Sequence, residues 1–554
     1  MSSTVTADRF IVDAPAPLVR AVRRALPDEL PAHTADALPT TRDAGASASL
    51  DVRVRTAADL AEQAYRVEVR AGQDGAGTAI VSGRTERGLR YGLQALARRV
   101  RPARTGRRWQ LPIGVMADAP ALAHRGVIEG FYGPPWTHQD RLDILAFCER
   151  HRLTHYVYAP KDDPFHREQW REPYPDEELA RLADLAAAAT EAGVEMVYAL
   201  APGLTMRYAD ESEHAALAAK GRQIRSAGIR AFALLFDDIP TELTASEDRD
   251  RFGDGAGAAG AAHGWTCARF AAEVLSPHDP TLVMVPTDYA GTARSDYRDR
   301  LAETLPDEIP VWWTGRDIVV GDVTREDIDA AAASYRRPVL LWDNFPVNDF
   351  DTSRLFLGPL LGRTPDVAGS ALVGITANPM IQAAPSRFAL ATVARWAWDP
   401  AGYDPERAAE SALAEAGPVA DAVRPLVSVC SSWPPSAPRA PALQRLCDGA
   451  LAGDATASDA LRAALTEFAA VPAGLSAAEG RLTEQLMPWA ESAAATARAG
   501  IAALDLLADP DAPQDEVRAR LAEAQSHEAE VLRPVLVPFV RACLGDTPAQ
   551  TERI

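Results

Sequence analysis

From residue 121 to about 400 the chain alternates between two rhythms. Short, nearly continuous apolar runs of strand length occur at residues 125–129, 155–159, 194–200, 229–236, 282–286, 310–313, 339–342 and 370–376. Between them lie segments whose apolar residues recur at helical spacing: 139–152, 176–192, 214–227, 265–275, 297–304, 324–335 and 386–398. Residues 352–361 are expected as the remaining helix, after the seventh strand. A continuous apolar run reads as a strand buried on both faces. Strict alternation of strand and helix implies a parallel sheet. Eight such repeats predict a closed (β/α)8 TIM barrel over residues 121–400 rather than an open sheet.

The flanks have other patterns. Residues 1–120 carry short strand-like runs at 10–12, 50–54, 65–69 and 78–81, then an amphipathic segment at 85–100. Its face is Leu89, Leu93, Leu96 and Ala97, with Thr85 placed to cap its start. An N-terminal α+β supporting domain is expected there. Residues 401–554 are rich in Ala, Leu, Arg and Glu, with helical periodicity at 455–469, 477–507 and 515–543. The Pro/Ser-rich stretch 431–441 (SSWPPSAPRAP) reads as a loop. A C-terminal helical bundle is expected, and no chemistry is legible in it.

Composition narrows the function classes. At 554 residues the chain is too long for one ordinary core, and 47% hydrophobic with 24% charged residues is a globular balance. A formal net charge of −20 argues against a non-specific nucleic-acid or anionic-membrane binder. The five cysteines are odd in number and widely spaced, with no C-x-x-C, so neither a disulfide framework nor a zinc site is expected. The start, MSSTVTADRF, has no basic region followed by a long apolar core, and no run approaches a membrane span of about 18 residues. A cytoplasmic location is the expectation. The ten histidines are scattered; His166 and His263 are the ones nearest the acidic strand ends. H-x-H, H-E-x-x-H and G-x-S-x-G are all missing, so no metal, no cofactor and no serine nucleophile are expected.

The candidate chemistry lies just after the strands. The run 231–236 ends in Asp237 and Asp238. Neighbours on a strand point to opposite faces, so two adjacent carboxylates can share a pocket only where the chain leaves the strand. The C-terminal end of a barrel strand is where barrel enzymes place their chemistry. Two close carboxylates repel, which lets one hold a proton while the other stays ionised. Taken alone, the pair reads more readily as a helix cap or a solvated loop, since acidic pairs at strand ends are common; the other strand ends reverse that reading. Other strand ends add candidates. The first runs into EGFYGPPW, where the Gly130 carbonyl could meet a ligand and the aromatics could wall a sugar-sized pocket. Lys161 follows the second strand, Tyr289 the fifth, Trp342, Asn344 and Asp349 the seventh, and Asn378 the eighth. Aromatics with Asn, Asp and Lys, and no phosphate-cradling glycine loop, suit a neutral polyhydroxylated ligand.

The strings RGVIEGFYGPPW, FDDIP, WDNFPVND and TANPM, in that order, resemble glycoside hydrolase family 84. These are β-N-acetylglucosaminidases that include O-GlcNAcases and hyaluronidase-like bacterial enzymes. The resemblance covers residues 1–400 well and the helical tail only in kind. It implies removal of terminal β-linked GlcNAc from a glycoside, glycopeptide or glycoprotein, including Ser/Thr-linked GlcNAc of proteins. It also implies substrate-assisted catalysis, in which the substrate's 2-acetamido oxygen forms an oxazoline with retention, an exception to the two-carboxylate scheme. By that likeness Asp237 would orient the acetamido group and Asp238 would be general acid, then base. Tyr289 would bond the acetamido oxygen. Lys161 and the Gly130 carbonyl would hold the 3-hydroxyl, and Asp349 the 4- and 6-hydroxyls. Asn344 would contact the acetamido group, Trp342 would wall its pocket, Asn378 would bind the ring, and Trp398 would line the aglycone side. Two alternatives stay open: hyaluronidase-like cleavage of a GlcNAc-containing polymer, and a non-catalytic sugar-binding protein. The intact Asp-Asp pair with its Tyr, Asn and Asp partners disfavours the second.

Overall fold

Eight parallel strands close on themselves in chain order. In this computed structural model, which describes residues 4–26, 32–34, 49–72, 77–103 and 108–546, they are β1 (His124–Glu129), β2 (His155–Tyr158), β3 (Glu195–Leu200), β4 (Ala231–Leu235), β5 (Val283–Val285), β6 (Val311–Trp313), β7 (Val339–Asp343) and β8 (Leu372–Ala377). Pairing of Val127 with Ala377 closes the barrel. Every expected strand run overlaps one of them. The alternation of side chains decides which residues fill the interior. Ala231, Ala233 and Leu235 of β4 face inward, with Val157, Ala199, Trp312 and Trp342. Phe232, Leu234 and Phe236 face the surrounding helices. Small alanines share that interior with two tryptophans, the large-with-small pairing that fills a barrel of eight strands.

Besides a short helix at Ser246–Phe252, the helices are α1 (His138–Arg150), α2 (Asp176–Ala192), α3 (Glu211–Ser226), α4 (Gly255–Val274), α5 (Asp296–Thr304), α6 (Arg325–Tyr335) and α7 (Ala383–Trp398). Thr137 and Thr324 begin α1 and α6 with reciprocal capping boxes. α4 begins ten residues before its expected start, because its first turns are Gly and Ala that carry no apolar period. The expected helix at 352–361 is not formed. Pro359 lacks the N–H a helix needs and biases Gly358 away from helical angles. The segment instead forms no regular element and buries Leu355, Phe356, Leu357 and Leu360.

The N-terminal region forms a mixed six-stranded sheet in the order Ala32–Thr34, Arg9–Asp13, Ser49–Thr56, Gly77–Gly83, Tyr65–Ala71, Gly114–Asp118. Helix Glu86–Ala97 packs on it, with Thr85 accepting the Gly88 N–H at 3.3 Å. The C-terminal region is helical: Pro405–Ala414, Ala420–Val429, Pro441–Leu451, Ala455–Leu475, Arg481–Ala508, Gln514–Ser526 and Arg533–Cys543. The periodic stretch 515–543 is therefore two helices, not one. Residues between them dock on the barrel side, with Glu530 N–H donating to the Ser353 carbonyl at 2.8 Å and Val531 and Leu532 buried. Among the described residues no helix is long and apolar enough to cross a membrane.

Candidate active site

A cavity of about 310 Å³ opens at the C-terminal end of the barrel, and nine of the ten expected site residues line it. Two larger clefts, of about 640 and 600 Å³, lie at the opposite end. Convergence of polar groups, not volume, marks the first as the candidate catalytic centre, since the N-terminal end of a barrel serves stability.

Asp237 follows Leu235 in the inward-facing set, and its carboxylate is buried. Lys161, itself buried, forms an ion pair with Oδ2. Burial pushes the Asp237 carboxyl up, but the charge and hydrogen bond of Lys161 outweigh it and hold the group below the usual carboxylate range. The other oxygen, Oδ1, is buried with no hydrogen-bond partner. An orphaned carboxylate oxygen in a cavity is a standing acceptor for a ligand N–H or O–H. Lys161 is placed by the turn that follows it, where Asp163 accepts the Tyr158 and Tyr174 hydroxyls at 2.6 and 2.5 Å and the Phe165 N–H at 2.9 Å.

Asp238 has the opposite strand parity, and it lines the cavity because the chain turns there. Its φ is +54°, a left-handed conformation that aspartate tolerates better than most residues. Two phenols converge on it: Tyr289 donates to Oδ1 at 3.0 Å and Tyr132 to Oδ2 at 2.7 Å. Burial and the neighbouring Asp238 carboxylate push both phenols above their ordinary range, so both remain donors. Arg167 in turn donates to the Tyr132 hydroxyl at 3.2 Å. The ends of β4 and β5 are tied together just before these residues, where the Thr287 hydroxyl donates to the Phe236 carbonyl at 2.7 Å.

A chain of amides links β1, β7 and β8. Trp342 Nε1 and Asn378 Nδ2 both donate to Asn344 Oδ1 at 2.9 Å, and Gly130 N–H donates to Asn378 Oδ1 at 3.3 Å. Gly130 is needed for space: a Cβ there would come within 2.6 Å of Trp342 Cζ2. Asp349 accepts the Tyr132 N–H at 2.8 Å, and burial raises its carboxyl. Asp343, within the same motif, is not in the cavity; it pairs with Arg363 through two bonds of 2.7 and 2.8 Å.

Trp398 is a correction. It ends α7, and barrel helices run antiparallel to the strands, so it lies at the far end of the barrel. There its Nε1 donates to Asp118 at 2.9 Å and its ring meets Tyr91 edge-on at 5.3 Å. Both flagged histidines are structural: His263 bridges the Tyr297 and Tyr208 hydroxyls at 2.8 and 2.9 Å, and His166 Nδ1 meets the Ala199 carbonyl at 2.6 Å. Among the described residues no group of three His, Cys, Asp or Glu is arranged to hold a metal. Sequence reasoning saw Tyr132 as a wall but missed its bond to Asp238. Arg167, six residues beyond Lys161, carried no signal at all.

A family model described as beta-N-acetylglucosaminidase matches residues 125–428, more than half of the chain. The protein O-GlcNAcases of Rattus norvegicus and Mus musculus are each 35% identical over 277 residues, which is 49% of this chain and 29% of theirs. The chain thus spans about three tenths of the length of those curated relatives. Among solved structures, CpGH84B superposes with a TM-score of 0.82 at 24% identity over 98% of both chains, a likeness of fold. A mutant O-GlcNAc hydrolase of Thermobaculum terrenum superposes with a TM-score of 0.70 at 28% identity, over 77% of this chain and 95% of that one.

Proposed function

The chain belongs to the beta-N-acetylglucosaminidase family, glycoside hydrolase family 84, and from that premise we propose that it is a retaining exo-hydrolase of terminal β-linked GlcNAc that uses the substrate's own acetamide as nucleophile. The observation that carries this reading is the unequal pair at the end of β4. Asp237 is held ionised by Lys161 and keeps one buried oxygen free, and Asp238 stands beside it between two phenols. In the proposed reaction Asp237 Oδ1 accepts the acetamide N–H, which raises the electron density of the acetamide oxygen. That oxygen attacks the anomeric carbon while Asp238 gives its proton to the leaving oxygen. Asp238 then takes a proton from water, which opens the oxazoline with retention. Tyr289 would donate to the acetamido oxygen as its charge develops. Lys161 and the Gly130 carbonyl would take the 3-hydroxyl, and Asp349 the 4- and 6-hydroxyls. Asn344 and Trp342 would enclose the acetamide, and Asn378 the ring.

The mouth of the cavity bears on the aglycone. Tyr132, Ile318 and Phe350 line it and are 42%, 51% and 47% exposed. An apolar rim on a chain of net charge −20 suits a glycopeptide or other neutral aglycone better than a polyanionic glycosaminoglycan. O-GlcNAc-modified protein is the substrate class we infer.

The decisive assay is nitrophenol release from aryl β-GlcNAc beside the matching β-glucoside. Both carry one leaving group and only the first carries the acetamide. Turnover of the GlcNAc compound alone is expected. Equal turnover of both would overturn substrate assistance, and turnover of neither would favour a binding protein.

A further inference from the structure

The cleft of about 600 Å³ lies at the end of the barrel remote from Asp237 and Asp238. The N-terminal sheet, α7 and helix Pro405–Ala414 meet there, and the lining includes Arg98, Arg150, Arg152, Arg395, Arg407 and Trp398. The same lining carries Asp118, Asp399, Asp404 and Glu415.

Two of the guanidiniums at this seam are buried without a countercharge. Arg125 is 1% exposed and Arg152 is 8% exposed, and among the described residues both meet neutral groups and aromatic rings rather than a carboxylate. Arg125 is satisfied by neutral groups, including the Arg152 carbonyl at 2.9 Å, Gln63 Oε1 at 2.9 Å and the Tyr91 hydroxyl at 3.0 Å. Arg152 stacks over Trp398 at 4.6 Å and Tyr65 at 5.4 Å, its Nη2 donates to the Tyr91 carbonyl at 3.4 Å, and its buried Nε has no hydrogen-bond partner. It also occupies a left-handed turn, φ +59°, that a glycine would enter without strain. Among the described residues the Arg98 side chain has one hydrogen bond, to the Arg150 carbonyl, and lies near both the Arg152 and the Glu415 charges. Among the described residues Arg150 and Arg395 have no hydrogen bond or ion pair from their side chains.

The carboxylates around the cleft are each held by hydrogen bonds and keep their charge. Asp118 accepts from Trp398, Asp399 accepts the Gly402 N–H at 3.0 Å, Asp404 caps Pro405–Ala414 and pairs with Arg407 at 3.4 Å, and Glu415 meets His151 at 3.0 Å. Buried charge is normally paired, and an unpaired guanidinium beside open volume is a demand for an anion. The planar fork of arginine matches the oxygens of a phosphate group, two at a time.

We propose that this cleft binds a phosphate-bearing anion, with Arg152 as the buried anchor and Arg98, Arg150 and Arg395 closing around it. The ligand would neutralise the seam where three parts of the molecule meet. It would stabilise the folded chain by mass action without touching the catalytic residues.

The test is titration calorimetry and thermal unfolding of the whole protein with sodium pyrophosphate, against sodium chloride at matched ionic strength. The variants Arg395→Glu and Arg150→Glu change exposed side chains and leave the anchor in place. Saturable one-to-one binding is expected, with an unfolding temperature several degrees higher than in chloride. Each variant should weaken binding at least tenfold while aryl β-GlcNAc hydrolysis stays within twofold of the parent. No binding heat, an equal shift in chloride, or undiminished binding in both variants would overturn the proposal. An ADP arm separates the sources: tighter binding than pyrophosphate assigns the site to a nucleotide, and equal or weaker binding assigns it to a free phosphate anion.

Discussion

At the scale of single residues the site turns on what Lys161 does to Asp237. Burial alone would raise the carboxyl, and the lysine reverses the sign. A reaction that needs Asp237 ionised therefore persists into acid and fails as the pH falls through the depressed value. Lys161→Met should remove the countercharge, raise the Asp237 pKa, and move the acid limb of kcat/KM to higher pH. An unmoved limb would assign it to another group. Asp238→Asn separates proton donation from binding. Poor leaving groups should lose about 10²–10⁴-fold in kcat, whereas an activated nitrophenyl glycoside loses far less. Equal losses would remove Asp238 as the acid. Much of this was legible in the sequence, because Asp237-Asp238, Asn344 and Asn378 stand directly after apolar runs. The phenols around Asp238 were not legible as a pair, since Tyr132 and Tyr289 reach it from positions 106 and 51 residues away.

At the scale of elements, strand parity places the chemistry. Leu235 faces inward, so Asp237 does too, and only a left-handed residue at 238 lets its neighbour join it. The end of β1 obeys a steric rule instead. Gly130 leaves room for the Trp342 indole, which Asn344 holds through Nε1. Gly130→Ala should displace that ring and raise KM for aryl β-GlcNAc at least tenfold, with kcat less affected. An unchanged KM would mean that Trp342 does not wall the acetamide. The helices legible from periodicity formed, but 352–361 did not. Its apolar spacing suits a helix, yet Pro359 forbids one, and neighbouring chain supplies the burial that a helix would have given.

At the scale of the whole molecule, the C-terminal helices complete the barrel where that helix is missing. Leu357 N–H donates to the Cys430 carbonyl at 2.7 Å, and Trp489 Nε1 to the Ser353 carbonyl at 2.8 Å. Trp433 is buried edge-to-face against Phe345 at 5.1 Å and Phe356 at 5.0 Å, and its Nε1 donates to the Val320 carbonyl at 3.0 Å. Phe345 lies in the loop that carries Asn344 and Asp349. Trp433→Ala should cost about 3–5 kcal/mol of stability and should also raise KM, read by denaturant unfolding and by aryl β-GlcNAc kinetics. Lost stability with an unchanged KM would show that the loop holds its own shape. A raised KM would show that the tail, in which the sequence showed no chemistry, acts on the site through packing.

The sequence by itself determined the order of elements and the identity of the groups at the strand ends. Both are properties of neighbouring residues: a period of two or 3.6, a threonine before a helix, an aspartate after an apolar run. Only the tertiary structure decided which groups meet. Lys161 and Asp237 are 76 residues apart, and their pairing depends on β2 and β4 standing two positions apart around a closed ring. Tertiary packing also divided 515–543 into two helices and sent Trp398 to the far end of the barrel, beside Arg125 and Arg152. Contact across a closed barrel is set by where the strands lie in the ring, and that is a property of the whole fold rather than of any stretch of chain.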